Sequence, residues 1–371
     1  MRVLFWSTFF WPYIGGIEVL STRLLPALME FGHEFIVVSQ GGSGFPTEVE
    51  FQGNTIPIYR YPMSVALNNR DIIKIKEIRN NIAEIKCTYK PHLVHINTTG
   101  PGLFFHQKTK SVLPSNDLFS VHFFPETKIH QNSLIGSCLR SSNWVSAVSQ
   151  AMLEDARKIA PEIENKSSLI YNGLPMPGIK PANYQFDEPI LLCIGRLVPE
   201  KGFDLALEAF AHVHKVFPKA RLLIAGDGIC MVDLKSQAKT LNIQAFVDFS
   251  GWIDPDKIID LINKAVLVIV PSRWREPFGL VALQASQMAR PVVASNVGGL
   301  PEIVVHRRTG FLYKNEDIND LAAYIITLLK NPEITMQMGK EARIRAKSLF
   351  SIERCVDSYN SLYNQIMLTQ Q

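Results

Sequence analysis

Short runs of consecutive apolar residues alternate along this chain with longer stretches in which apolar residues recur at helical spacing. The runs Arg2–Trp6, Glu34–Ser39, Leu93–Ile96, Leu118–His122, Trp144–Ala147 and Ser168–Ile170 read as strands. With amphipathic stretches between them, they predict a doubly wound parallel sheet. The alternation breaks in the Pro/Gly-rich segment Asn172-Gly-Leu-Pro-Met-Pro-Gly-Ile-Lys-Pro181 and restarts at Ile190–Ile194. Arg221–Ala225, Val247–Ser250, Val266–Val270, Pro291–Ala294 and Gly310–Tyr313 continue a second series, and helical patterns over Ile334–Leu349 and Ile352–Met367 close the chain. The expectation is an α/β protein of two Rossmann-like domains, residues 1–175 and 176–351.

Composition agrees with two domains and removes several function classes. A chain of 371 residues with 47% hydrophobic content is globular and too long for one ordinary core. Its 38 basic and 34 acidic residues are scattered, with no block of like charge, so nucleic acid is not an expected partner. The five cysteines are widely spaced with no C-x-x-C pair, which argues against zinc or redox chemistry and fits a reducing cytosol. The N-terminus is apolar, but Pro12 interrupts it and no small-residue cleavage site follows, so it reads as a buried first strand. No apolar run approaches the ~20 residues of a membrane-spanning helix. Helix Asp71–Lys90 repeats isoleucine at 72, 75, 78, 82 and 85 with Lys74, Lys76, Arg79 and Lys86 around them. An ordinary helix with a solvated outer face is its first reading, and a helix lying on an anionic membrane surface its second.

Three strand-to-helix passages carry candidate chemistry. In Trp11-Pro-Tyr-Ile-Gly-Gly-Ile-Glu18, Gly15 and Gly16 would let a phosphate or sugar approach backbone N–H groups, or simply serve the turn. In Ile194-Gly-Arg-Leu-Val-Pro-Glu-Lys-Gly-Phe203, Arg196 and Lys201 lie five residues apart on one loop and could neutralise a departing diphosphate without a metal. In Pro271-Ser-Arg-Trp-Arg-Glu-Pro-Phe-Gly-Leu-Val-Ala-Leu-Gln284, Glu276 precedes a helix start whose Gly279 and Leu280 amides can bind phosphate. Gln284 follows two turns further on. Asp227 reads as a turn residue, His95 as structural, and Gly298 and Gly299 as keeping a loop slim.

These pieces resemble the retaining glycosyltransferases of family 4, which have the GT-B fold: two Rossmann-like, doubly wound domains facing across a cleft. The ordered set that carries the resemblance is the Gly15-Gly16 loop, Gly195-Arg-Leu, Glu200-Lys-Gly, Ala225-Gly-Asp-Gly228, Pro271-Ser, Glu276-Pro-Phe-Gly-Leu, Ala289-Arg-Pro-Val-Val-Ala294 and Gly298-Gly-Leu-Pro-Glu302. The resemblance implies that Arg196 and Lys201 stabilise the donor diphosphate and that Glu276 contacts the donor sugar. It places Phe278, Gly279, Leu280 and Gln284 along the donor, and His122 near the donor sugar and the attacking acceptor. Where the family has a second glutamate binding the ribose, this chain has Gln284, whose amide can still accept from one hydroxyl.

The function implied is retaining transfer of a sugar from a nucleotide-diphosphate sugar to a hydroxyl on a glycan, a lipid-linked glycan or a small molecule. The acceptor would sit on the N-terminal domain and the donor on the C-terminal one, with helix 352–371 packing back on the first. No metal or other cofactor is expected beyond the nucleotide-sugar co-substrate. The expected setting is cytoplasmic, extending to a peripheral position at the inner face of a membrane. Two alternatives stay open: a catalytically inactive sugar-nucleotide-binding relative that acts through a partner, and a nucleotide-sugar epimerase.

Overall fold

The computed structural model describes residues 1–13, 15–42, 44–51, 54–113, 115–124 and 129–368. They divide into two compact units, Met1–Leu174 with Ile352–Gln371, and Pro175–Ser351.

The first unit is built on an eight-stranded sheet: β1 Arg2–Ser7, β2 Glu34–Gln40, β3 Glu48–Phe51, β4 Asn54–Tyr61, β5 Leu93–Asn97, β6 Asn116–Val121, β7 Trp144–Ala147 and β8 Ser167–Leu169, in the order β3-β4-β2-β1-β5-β6-β7-β8. Val3, Leu4 and Phe5 are fully buried because helices cover both faces of a parallel sheet. The sheet is not parallel throughout: β3 runs antiparallel to β4 at one edge. The closing helix Ile352–Leu368 buries Val356, Tyr359, Tyr363 and Ile366 in the same core as Phe5, Leu25, Val37 and Leu118.

The second unit has six strands: β9 Ile190–Ile194, β10 Arg221–Ala225, β11 Val247–Gly251, β12 Leu267–Val270, β13 Val292–Ser295 and β14 Gly310–Tyr313, in the order β11-β10-β9-β12-β13-β14. All five pairings are parallel. Helix Ile318–Lys330 shows why the flanking segments are helical: Leu321, Ala322, Ile325, Leu328 and Leu329 form one buried stripe, and the Asp317 carboxylate caps the start by accepting from Asp320 N at 3.0 Å.

Both sheets reverse their winding direction once, between β1 and β5 in the first unit and between β9 and β12 in the second. In open α/β sheets, ligands bind outside the carboxyl ends of strands at such a reversal. The loops after β1, β9 and β12 are the three passages singled out in the sequence.

Candidate functional site

In the second unit, three loops are stapled together at the carboxyl ends of β9, β12 and β13. Arg273 N donates to Glu200 O at 2.9 Å, Ser295 Oγ donates to Ser272 O at 2.7 Å, and Gly299 N donates to Glu276 O at 2.7 Å. Two glycines permit this closeness. Gly202 (φ +67°) and Gly298 (φ +55°) occupy the left-handed region, and a Cβ on either would run into backbone, the carbonyl of Pro271 in one case and of Glu276 in the other.

The stapling brings Lys201 to Glu276 across 75 residues of sequence: Lys201 Nζ forms an ion pair with Glu276 Oε1. That oxygen also accepts from Ser272 Oγ at 2.7 Å, while Oε2 makes no hydrogen bond among the described residues. Glu276 is only 7% exposed, and these two partners fix one oxygen of its carboxylate. The Lys201 ammonium also lies over the Trp274 ring, 5.7 Å from its centroid. Arg273 anchors the loop from the other side, donating to both Asp204 oxygens at 2.6 and 2.5 Å and to Glu316 Oε1 at 2.8 Å.

The other residues singled out in this unit are placed differently. Arg196 is exposed, and its side chain makes no hydrogen bond or ion pair among the described residues; the structure records no contact between it and Glu276. Its loop is fixed by Gly195 N donating to Ala225 O at 3.0 Å and Leu197 N to Asp227 O at 2.9 Å. Asp227 serves a turn, its carboxylate accepting from Gly228 N at 2.7 Å. Gly279 (φ +110°) precedes helix Leu280–Gln287, which leaves the first amides of that helix without helical partners. Phe278 turns inward, 2% exposed and edge-on to Phe350 at 5.6 Å, so its side chain packs in the core rather than facing a ligand. Gln284 is half-buried on the helix, with no side-chain hydrogen bond among the described residues.

In the first unit, His122 follows β6 immediately and lines a small cavity with Ser21, Asn97, Asn172 and Tyr359. Burial lowers its pKa to about 4, so the imidazole is neutral near pH 7. Neither ring nitrogen bonds to a described residue. His95, one strand away, is fully buried, with Nδ1 2.6 Å from Tyr363 Oη and Nε2 2.7 Å from Ser120 Oγ, an arrangement that ties the closing helix to the sheet. Gly15 is the extended residue before helix Gly16–Met29 and its carbonyl accepts from Val19 N at 3.0 Å; Ile14 of that loop lies outside the described residues.

Sequence reasoning did not assign roles to Ser272, Trp274 or Arg273. Ser272 was visible only as half of a Pro-Ser pair, and neither stacking on Lys201 nor pairing with Asp204 has a signal in the spacing. It also grouped Lys86 with solvated cations, whereas Lys86 is 1% exposed. The correction follows from helical geometry, since Lys86 is four residues beyond the buried Ile82 and shares its face.

Two doubly wound units with their loops gathered at the winding reversals define a GT-B protein. The model of the family described as Glycosyltransferase Family 4 matches residues 14–176, and that described as Glycosyl transferases group 1 matches residues 179–345. The chain is 34% identical over 409 residues to the glycogen synthase of Mycobacterium tuberculosis, covering 98% of this chain and 94% of that one. It is 26% identical to the N-acetyl-alpha-D-glucosaminyl L-malate synthase of Bacillus anthracis, covering 96% of each. Among solved structures, Anabaena HepE in complex with UDP and glucose superposes with a TM-score of 0.79 at 20% identity over 98% of this chain and 99% of that one. Sucrose-phosphate synthase from Thermosynechococcus elongatus superposes at 0.83 with 21% identity over 99% of each. The chain belongs to glycosyltransferase family 4, and it is a glycosyltransferase.

Proposed function

We propose that the protein is a retaining glycosyltransferase that takes a sugar from a nucleoside-diphosphate sugar held by the second unit and passes it to a hydroxyl acceptor presented by the first. The observation that carries this reading is the meeting of Lys201 with Glu276 at the winding reversal between β9 and β12. An ammonium on one loop, the first amides of helix Leu280–Gln287, which lack helical partners, and the Arg196 guanidinium, which makes no ion pair among the described residues, together suit a pyrophosphate. These groups stabilise the charge that develops as the diphosphate leaves, so the step needs no metal. Oε2 of Glu276, without a hydrogen bond among the described residues, suits a sugar hydroxyl. His122, neutral and with no hydrogen bond to a described residue, is suited to hydrogen-bond a hydroxyl of the donor sugar or of the acceptor. Departure and attack on the same face, through an oxocarbenium-like state, would retain the anomeric configuration.

HepE, a chain of the same fold, is seen in complex with UDP and glucose, which supports a nucleotide-sugar donor. The acceptor classes are a glycan, a lipid-linked glycan and a small molecule. The test is incubation with UDP-, GDP-, ADP- and TDP-sugars without acceptor. Slow release of free nucleoside diphosphate from one donor, abolished by Glu276→Ala, is the expected result. A donor that emerges epimerised with no nucleotide freed, or binding with no turnover even when acceptors are supplied, would overturn the reading.

A further inference from the structure

A corner of the first unit carries an apolar surface that its own fold leaves uncovered. Helix Ile72–Tyr89 is anchored by Ile78 and Ile82, which are 1% and 0% exposed. Its first turn is the reverse, because Ile72 and Ile73 are 79% and 82% exposed. The short helix Met63–Asn68 just before it adds Val65, 59% exposed, and the two helices are joined at a tight turn where Asp71 N donates to Ala66 O at 3.0 Å. Three β-branched aliphatics thus project from one helical corner, where they gain nothing from burial and lower helix propensity.

The charges around this corner bear on what it would face. Residues 70–79 hold four bases and two acids. Both acids are engaged: Asp71 caps the helix by accepting from Lys74 N at 2.9 Å, and Glu77 pairs with Lys74 Nζ at 3.0 Å. Arg70, Lys76 and Arg79 are exposed and make no ion pair among the described residues. Exposed aliphatics flanked in sequence by exposed bases that make no ion pair among the described residues are complementary to a surface that is apolar within and anionic at its rim.

We propose that this corner docks the first unit on an anionic lipid surface, with Ile72 and Ile73 entering the boundary between headgroups and acyl chains and Arg70, Lys76 and Arg79 meeting lipid phosphates. The proposal deepens the acceptor side of the reading above, since it would bring the transferase to a lipid-linked hydroxyl. The docking itself is independent of catalysis.

The test is co-sedimentation of the full chain with phosphatidylcholine vesicles, with and without about a third phosphatidylglycerol. Binding to the anionic vesicles alone is expected, with at least a tenfold fall in partition coefficient for the Ile72→Asp/Ile73→Asp variant and for the Arg70→Glu/Lys76→Glu/Arg79→Glu variant. Both variants should keep wild-type melting temperatures and wild-type release of nucleoside diphosphate from a soluble donor, which separates failure of docking from failure of the transferase reading. Equal binding by wild type and variants, or no binding to anionic vesicles, would overturn the proposal. So would a wild-type dimer in solution that the isoleucine variant dissociates, since the corner would then be a protein interface.

Discussion

Lys201 Nζ and Ser272 Oγ converge on one oxygen of Glu276, Oε1, and leave Oε2 without a hydrogen bond among the described residues. The carboxylate is therefore oriented before any ligand arrives, and preorganised groups stabilise a transition state without reorganising as charge develops. Glu276→Ala is expected to lower kcat/KM by about 100-fold or more, as when a transition-state contact is removed. Ser272→Ala, which deletes one hydrogen bond and keeps the ion pair, should cost about tenfold. Steady-state kinetics on the donor found by the screen checks both.

Gly298 is held in the left-handed region against the Glu276 carbonyl. Gly298→Ala should destabilise the second unit by about 2 kcal/mol, from the strained backbone and the displaced loop, and weaken donor binding. Gly178→Ala is the control, because a Cβ there meets nothing within 4 Å and its backbone is not left-handed. Thermal unfolding with and without nucleotide should separate the two variants.

Gln284 stands half-buried on the helix that begins after Gly279. Gln284→Glu would add a charge that can accept from two ribose hydroxyls. Donor KM should change while the anomeric configuration of the product stays the same, as read by NMR of the initial product. A change of anomer would contradict the assignment.

Burial lowers the pKa of His122 to about 4 and of His95 to about 3, from an ordinary 6.5. Between those values the unfolded chain binds protons that the folded chain does not, so stability rises with pH there. The contribution is complete above about pH 6.5 and is lost as pH falls towards 4 and then 3. The melting temperature should therefore drop between pH 6.5 and 4.5, with a shallower slope in His122→Gln.

Lys86 has its pKa lowered to about 8 by burial, against the opposing pull of Asp117. The unfolded chain again holds more protons, here between about pH 8 and 10.5, so stability climbs through that window. At neutral pH the buried ammonium costs the fold on the order of 3 kcal/mol. Asp117 keeps Lys110 at 2.6 Å and His106 at 3.1 Å without it. Lys86→Met should accordingly stabilise the protein by about 1–3 kcal/mol at pH 7 and much less at pH 10.5, measured by denaturant unfolding at the two pH values.

How legible each feature was in the sequence depended on whether its physical cause is local. Strands such as Ile190–Ile194 and Arg221–Ala225 are continuous apolar runs because both faces of a parallel sheet are covered, and they could be read directly. Strands β3 and β4 were missed because an edge pair alternates polar with apolar residues, and Pro57 inside β4 argues against a strand. In the site, the residue types of Lys201 and Glu276 announced charge chemistry, but their pairing depends on two left-handed glycines and three loop staples. The same distance from local cause hid Trp274 beneath Lys201. Exposure of Ile72 and Ile73 was equally hidden, since helical spacing gives a stripe but not where its neighbours end.

The most direct test of the central claim is the single-turnover rate of nucleoside diphosphate release in Arg196→Ala and Lys201→Ala, with folding verified by thermal unfolding. A fall of about 100-fold or more in each is predicted, because in the proposed role each side chain is a charge partner of the departing diphosphate. Near-normal rates in both variants would contradict it.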